Sequence, residues 1–153
     1  MYGLTLNCSR LGEDMDVVVI SKLSDSQVAQ LVLLYRNEFW CDKRQRADVE
    51  RMLAHSDIVI GVENHAQELI GFARVLTDHI YKAIIFDVIV HPDWRGREIG
   101  KLLMDTVMCH PDLKSIEHFD LNCLPEMYPF YERWGFTADV GKLSFMRRFN
   151  QQS

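Results

Sequence analysis

The chain of 153 residues has no excess of positive charge: 17 Lys and Arg stand against 22 Asp and Glu, a net charge of −5. Nucleic-acid binding usually selects a basic face, so no nucleic-acid partner is expected. No apolar run approaches the length of a membrane span, and no membrane partner is expected either. The N-terminal stretch "MYGLTLNCSRLGEDMD" has no basic region followed by a long apolar core, so a secretory signal is not expected in it. Among the cysteines, Cys8, Cys41, Cys109 and Cys123, there is no C-x-x-C pair. That scatter argues for reduced thiols and a cytoplasmic setting over a disulfide framework or a zinc site. The histidines lack metal-ligand spacing, so no metal is expected. Repeats, low-complexity tracts and linkers are also missing, and residues 1–153 are expected to form one domain. What is present is an ordinary globular composition, 48% hydrophobic and 25% charged.

Periodicity divides the chain into elements. "DVVVIS" (16–21) is rich in β-branched residues and is expected to be a strand. "SDSQVAQLVLLYRNEF" (24–39) places Val28, Leu31, Val32, Leu34 and Tyr35 near one helical face, and Ser24 with Gln27 forms a capping box. "RADVERMLAHS" (46–56) is a second helix. "DIVIGVE" and "LIGFARVLTD" read as a hairpin around the polar turn "NHAQE". "KAIIFDVIV" (82–90) is apolar on both faces and belongs in mid-sheet. "KLLMDTVMCH" is a helix ended by Pro111, and "IEHFDLNC" (116–123) is a strand that completes a βαβ unit, so it should run parallel to 82–90. "PFYERWG" (129–135) is a short helix, with Pro129 in its first turn and Gly135 at its stop. "KLSFMRRF" (142–149) is expected to be a last strand. The order β-α-α-β-β-β-α-β-α-β describes an α/β sandwich on a mixed sheet.

The stretch "HPDWRGREIG" (91–100) joins the long strand to the helix after it. A helix start offers unpaired N–H groups and partial positive charge, which suit an anion such as a phosphate. Neither nucleotide fingerprint fits. A Walker loop needs four residues between its glycines, and Gly96 and Gly100 are separated by three; G-x-G-x-x-G is not present. On spacing alone, R-G-x-x-I-G serves equally as a phosphate loop or as a tight turn with close helix packing.

"VIVHPDWRGREIGKLLM" closely resembles the acetyl-CoA-binding motif of the GCN5-related N-acetyltransferases, the GNAT superfamily. That motif, R/Q-x-x-G-x-G/A, sits between the fourth strand and the third helix. Arg95 matches its first position and Gly100 its last, while Glu98 stands where the middle glycine is usual. One strand later, "FYERWGF" (130–136) resembles the family's "lYeklGF" segment. The two motifs occur in family order and cover a chain whose element order is also that of the family.

The resemblance implies a mixed twisted sheet with helices on both faces, acetyl-CoA as cosubstrate and an amine acceptor, a small molecule or a peptide. It implies that the pyrophosphate lies on backbone N–H groups of Arg95, Gly96, Arg97, Glu98, Ile99, Gly100 and Lys101. The pantetheine arm would run along Val88, Ile89 and Val90 as a pseudo-strand, bonded to their main chain. Tyr131 matches the family tyrosine that protonates the departing CoA thiolate. A phenol with a reference pKa near about 10 can serve a thiolate whose conjugate acid is near about 8.5. Glu38 and Trp40 lie between the two early helices, where this superfamily usually forms its acceptor site, and an aromatic beside an acid suits a cationic amine. "LPEMYPFY" replaces the N-x-x-A of members that acetylate protein N-termini.

Asp87 is a lone acid within "AIIFDVIV". A buried carboxylate needs a reason. Two remain open: a general base whose carboxylate reaches the acceptor side, or a structural acid paired with Arg74 on the preceding strand or capping a loop. Arg74 is also counted with Glu38 and Trp40 as a candidate acceptor-site residue. Simple alternation puts Ile85, Asp87 and Ile89 on one face and Phe86, Val88 and Val90 on the other. Cys123 has no partner histidine at an identifiable spacing, so a covalent relay is not expected. The expected activity is direct attack of a primary amine on acetyl-CoA in a ternary complex, by a monomer or homodimer. The alternative is a non-catalytic acyl-CoA-binding sensor or interaction module.

Overall fold

In the computed structural model, residues Met15–Asn150 are described. Cys8 lies outside them. Contacts divide the chain into two compact units, Met1–Asn122 and Cys123–Ser153.

The first unit carries a five-stranded sheet: β1 (Val18–Ile20), β2 (Ile58–Glu63), β3 (Leu69–Thr77), β4 (Lys82–Val90) and β5 (His118–Leu121), ordered as in sequence. The first four strands pair antiparallel, and β4 and β5 run parallel. The connection between β4 and β5 carries the helix α3 (Ile99–Cys109), as a parallel crossover requires. Two further helices, α1 (Asp25–Arg36) and α2 (Arg46–Ala54), lie between β1 and β2. Helix α1 begins with the capping box, Ser24 accepting from the Gln27 amide and the Gln27 side chain accepting from the Ser24 amide.

The sheet is covered on both faces. Phe72 and Ile89 pack with Val28, Leu31 and Tyr35 of α1 and Val49 of α2. Gly71, one residue along, faces α3: a Cβ there would stand 2.8 Å from Ile99 Cγ2 and 3.3 Å from Leu103 Cδ1. The missing side chain lets the first turns of α3 settle close to the sheet.

Strand β4 does not alternate as its sequence suggests. Phe72 pairs with Ile89 and Arg74 with Phe86, so Asp87 and Val88 together oppose Ala73. This is a β-bulge, and Asp87 adopts φ 56°. Ile85 pairs with Val75 and Ile89 with Phe72, residues on opposite faces of β3. The expectation that Ile85 and Ile89 share a face is therefore overturned, because the extra residue resets the period of two.

The second unit contains α4 (Tyr128–Glu132), preceded by a short 3-10 turn at Pro125–Met127. The expected strand 142–149 does not form: these residues carry no regular structure, and Leu143, Phe145, Met146 and Phe149 are exposed. Strand-like composition alone does not make a strand where no neighbouring backbone pairs with it. Cys41 and Cys123 are free thiols, whereas Cys109 is disulfide-bonded, which corrects the expectation of reduced thiols at that position.

Candidate active site

The pairing of β4 with β5 ends at Ile85–Leu121, yet β4 continues to Val90. Among the described residues no strand pairs with β4 on that side from Phe86 onward. The His91 amide donates to Ile70 O on β3. Backbone groups alternate along a strand, so Ile89 also turns toward β3, and the N–H and C=O groups of Val88 and Val90 turn toward the open edge. Ile89 sends its side chain into the core with α1.

The open edge leads directly into the loop before α3. Gly96 and Glu98 both take left-handed backbone, φ 75° and 65°. Glu98 is the N-cap of α3, and no side chain caps that end. The first N–H groups of the helix therefore have no intrahelical partner and face the loop. Glu98 explains why glycine is usual at its position: the turn into α3 needs a conformation that L-residues resist.

The side chains around the loop are mostly engaged. Arg95 Nε donates to Val90 O at 3.2 Å and its Nη2 pairs with Glu38 at 3.1 Å. Arg97 lies over the Trp94 ring at 5.1 Å. Lys101 pairs with Asp105 at 2.6 Å, Ile99 is buried, and Gly100 sits in the first turn of α3. Pro92–Trp94 forms a short 3-10 turn that closes the loop against the strand end.

On the α1–α2 face, the bulge aims Asp87 at three donors. Its Oδ2 accepts from the Tyr35 hydroxyl at 2.8 Å, Arg44 Nη1 at 2.8 Å and Arg74 Nε at 2.7 Å. The Asp87 side chain is only 3% exposed. Burial alone would raise its pKa, but hydrogen bonds and charge from Arg44 and Arg74 outweigh this and hold the carboxylate below its ordinary range. Tyr35 shifts upward, first through burial and then through the neighbouring Asp87 charge. Arg44 lies over the Tyr35 ring at 4.4 Å and the Trp40 ring at 5.6 Å, and Arg74 over the Phe86 ring at 4.7 Å. Beside this network Arg44, Asp48, Val49, Met52 and Arg74 line an open cleft of about 230 Å³.

Of the readings left open for Asp87, the ion pair with Arg74 is present, at 2.7 Å. Glu38 and Trp40 are not a free acid–aromatic pair, since Glu38 holds Arg95 and Trp40 faces Arg44. Sequence reasoning missed Tyr35 and Arg44. Tyr35 was indistinguishable from the core stripe of α1, and Arg44 is one base among several in "CDKRQRAD".

In the second unit, Tyr131 is 8% exposed and meets Phe130 and Phe136 edge-on. Burial, with a smaller contribution from Cys123, pushes its phenol up to about 12. Among the described residues no group of three His, Cys, Asp or Glu could hold a metal ion, and no helix is long and apolar enough to cross a membrane.

Residues 54–138 match the family model for the acetyltransferase (GNAT) domain. The chain is 33% identical over 114 residues to the uncharacterized N-acetyltransferase ycf52 of Porphyra purpurea, covering 69% of this chain and 66% of that protein. It thus spans slightly less than two thirds of that curated relative. A ycf52-like N-acetyltransferase of Prochlorococcus marinus is 31% identical over 142 residues, 91% of this chain and 78% of the relative. A crystal structure from Xanthomonas campestris, described as an acetyltransferase belonging to the GNAT family, superposes with a TM-score of 0.76 at 32% identity, covering 88% of this chain and 93% of the other. The open β4 edge, the loop into α3 and these matches agree: the chain belongs to the GNAT acetyltransferase family.

Proposed function

We propose that this protein transfers the acetyl group of acetyl-CoA to a primary amine by direct attack within a ternary complex. The observation that carries the reading is the β4 edge from Phe86 to Val90, which no strand pairs among the described residues and where Arg95 Nε reaches only Val90 O, running into an uncapped helix start. Such an edge accepts an amide-bearing chain as a further strand, and Val88 and Val90 supply its hydrogen bonds. The Arg95 N–H already donates to Pro92 O, so the N–H groups of residues 96–101 take the pyrophosphate, with Gly96 and Glu98 providing the left-handed turns.

In the reaction the amine nitrogen attacks the thioester carbonyl, the C–S bond breaks, and the electron pair leaves on sulfur. Tyr131 gives its proton to that thiolate and is reprotonated from solvent. Its raised pKa keeps it in the acid form throughout the neutral range. A thiolate withdrawn from water rises in proton affinity as well, which lessens the mismatch between the two. The amine loses its own proton to water. Asp87 acts in this scheme as a positioning residue: three donors already occupy its Oδ2, and its pKa lies too low for a useful base at neutral pH.

Calorimetry with acetyl-CoA, followed by thiol-release assays on a panel of amines, tests the reading. Saturable acetyl-CoA binding and amine-dependent thiol release are expected. Binding with no transfer to any amine would favour an acyl-CoA sensor, and no binding would overturn both.

A further inference from the structure

Two guanidiniums converge on a single carboxylate beside the cleft, which leaves one positive charge without a partner among the described residues. Arg44 spends only Nη1, on Asp87 and the Met52 sulfur, and Arg74 only Nε. Among the described residues, Arg44 Nη2 and Nε and both Nη groups of Arg74 make no hydrogen bond. Their side chains are 29% and 11% exposed, and both line the cleft. These unused groups are not sealed from solvent, since among the described residues no buried side-chain nitrogen or oxygen lacks a partner; they open on the cleft, and a planar fork of free N–H groups matches a carboxylate or phosphate.

The forks are also held in place. Arg44 lies against the Tyr35 and Trp40 rings and Arg74 against the Phe86 ring, contacts that restrain both guanidiniums. The opposing charge at the cleft is Asp48, which is exposed and therefore screened by solvent.

We infer that the acceptor carries an anionic group, carboxylate or phosphate, near its reacting amine, and that Arg44 and Arg74 bind that group in the cleft. The inference rests on the acetyl-transfer reading above for the amine, but not for the anion. The cleft volume suits a small acceptor or the end of a larger one.

Two measurements test it. In the first, kcat/KM is compared within matched pairs: α-amino acids against their amides, and amino-sugar phosphates against the free amino sugars. The anionic member is expected to exceed its partner at least about tenfold in one arm, and that arm identifies the anion. Arg44→Gln should erase the preference by raising the acceptor KM while leaving acetyl-CoA affinity unchanged; thermal unfolding checks that Arg74 still holds Asp87. Arg44→Lys keeps the charge without the fork and should recover only part of it. In the second, acetate and inorganic phosphate are titrated into the protein alone, with the arginine Nε–H resonances followed by NMR. A saturable shift at Arg44 and Arg74 is expected, and its loss in Arg44→Gln. Neutral and anionic acceptors used equally, or no shift at these two arginines, overturns the anion site even where acetyl-CoA binds and transfer occurs. Shifts at both arginines without acetyl-CoA binding would overturn the acetyl-transfer reading and leave the anion site standing.

Discussion

Glu38, just past the end of α1, and Arg95, just before the loop into α3, are joined by an ion pair of 3.1 Å across 57 residues of sequence. The contact ties the α1–α2 connection to the segment proposed to hold the pyrophosphate. It also diverts part of the Arg95 charge. Exposed pairs of this kind contribute about 0–1 kcal/mol to stability. Glu38→Gln should therefore leave Tm nearly unchanged and tighten acetyl-CoA binding roughly two- to fivefold, an effect that shrinks in high salt. Calorimetry at two ionic strengths checks it; weaker binding would show that Glu38 orients Arg95 and does not compete for it.

Glu98 occupies left-handed backbone at the N-cap of α3. That conformation costs an L-residue about 1–2 kcal/mol, partly offset by the greater unfolded-state freedom of glycine. Glu98→Gly should stabilise the protein by about 0.5–1 kcal/mol. It also removes a negative charge from the proposed phosphate loop, so acetyl-CoA affinity should rise. Denaturant midpoints and calorimetry on the same variant read the two effects separately.

Asp87→Asn keeps the shape of the bulge, because Asn tolerates positive φ as Asp does. It removes the carboxylate that holds Arg44 and Arg74. Breaking such a pair should cost about 3 kcal/mol near neutrality. The sign of its pH dependence follows from the depressed folded pKa. The contribution is complete above the unfolded value of 3.8 and is lost as pH falls through the lower folded value. The stability gap between wild type and variant should thus be flat above about pH 5 and close in acid. A gap independent of pH down to full acid unfolding would contradict this. The acidic limb of kcat/KM should survive in the variant; its disappearance would make Asp87 the base after all.

Tyr131→Phe should lower kcat by about 10²–10⁴-fold with little change in acetyl-CoA affinity, since the hydroxyl acts on charge that appears only as the C–S bond breaks. With its phenol pushed up to about 12, the tyrosine should impose no alkaline loss of kcat below about pH 11. Steady-state kinetics across pH, with affinity measured separately, decides between acid catalysis and packing.

Local chemistry alone determined much of this protein. The Ser24 and Gln27 pair starts α1, the β-branched runs become strands, and the crossover through α3 makes β4 and β5 parallel. These signals act between near neighbours and survive in a one-dimensional reading. So does the R-G-x-x-I-G turn, whose demand for left-handed backbone is a property of the turn itself. Tertiary structure decided the rest. The bulge at Asp87 arises from the register between β3 and β4, which no residue in "IIFDVIV" announces. Tyr35, Arg44 and Arg74 meet Asp87 from 52, 43 and 13 residues away. Segment 142–149 has the composition of a strand and forms none, because strand formation requires a partner backbone as well as suitable side chains.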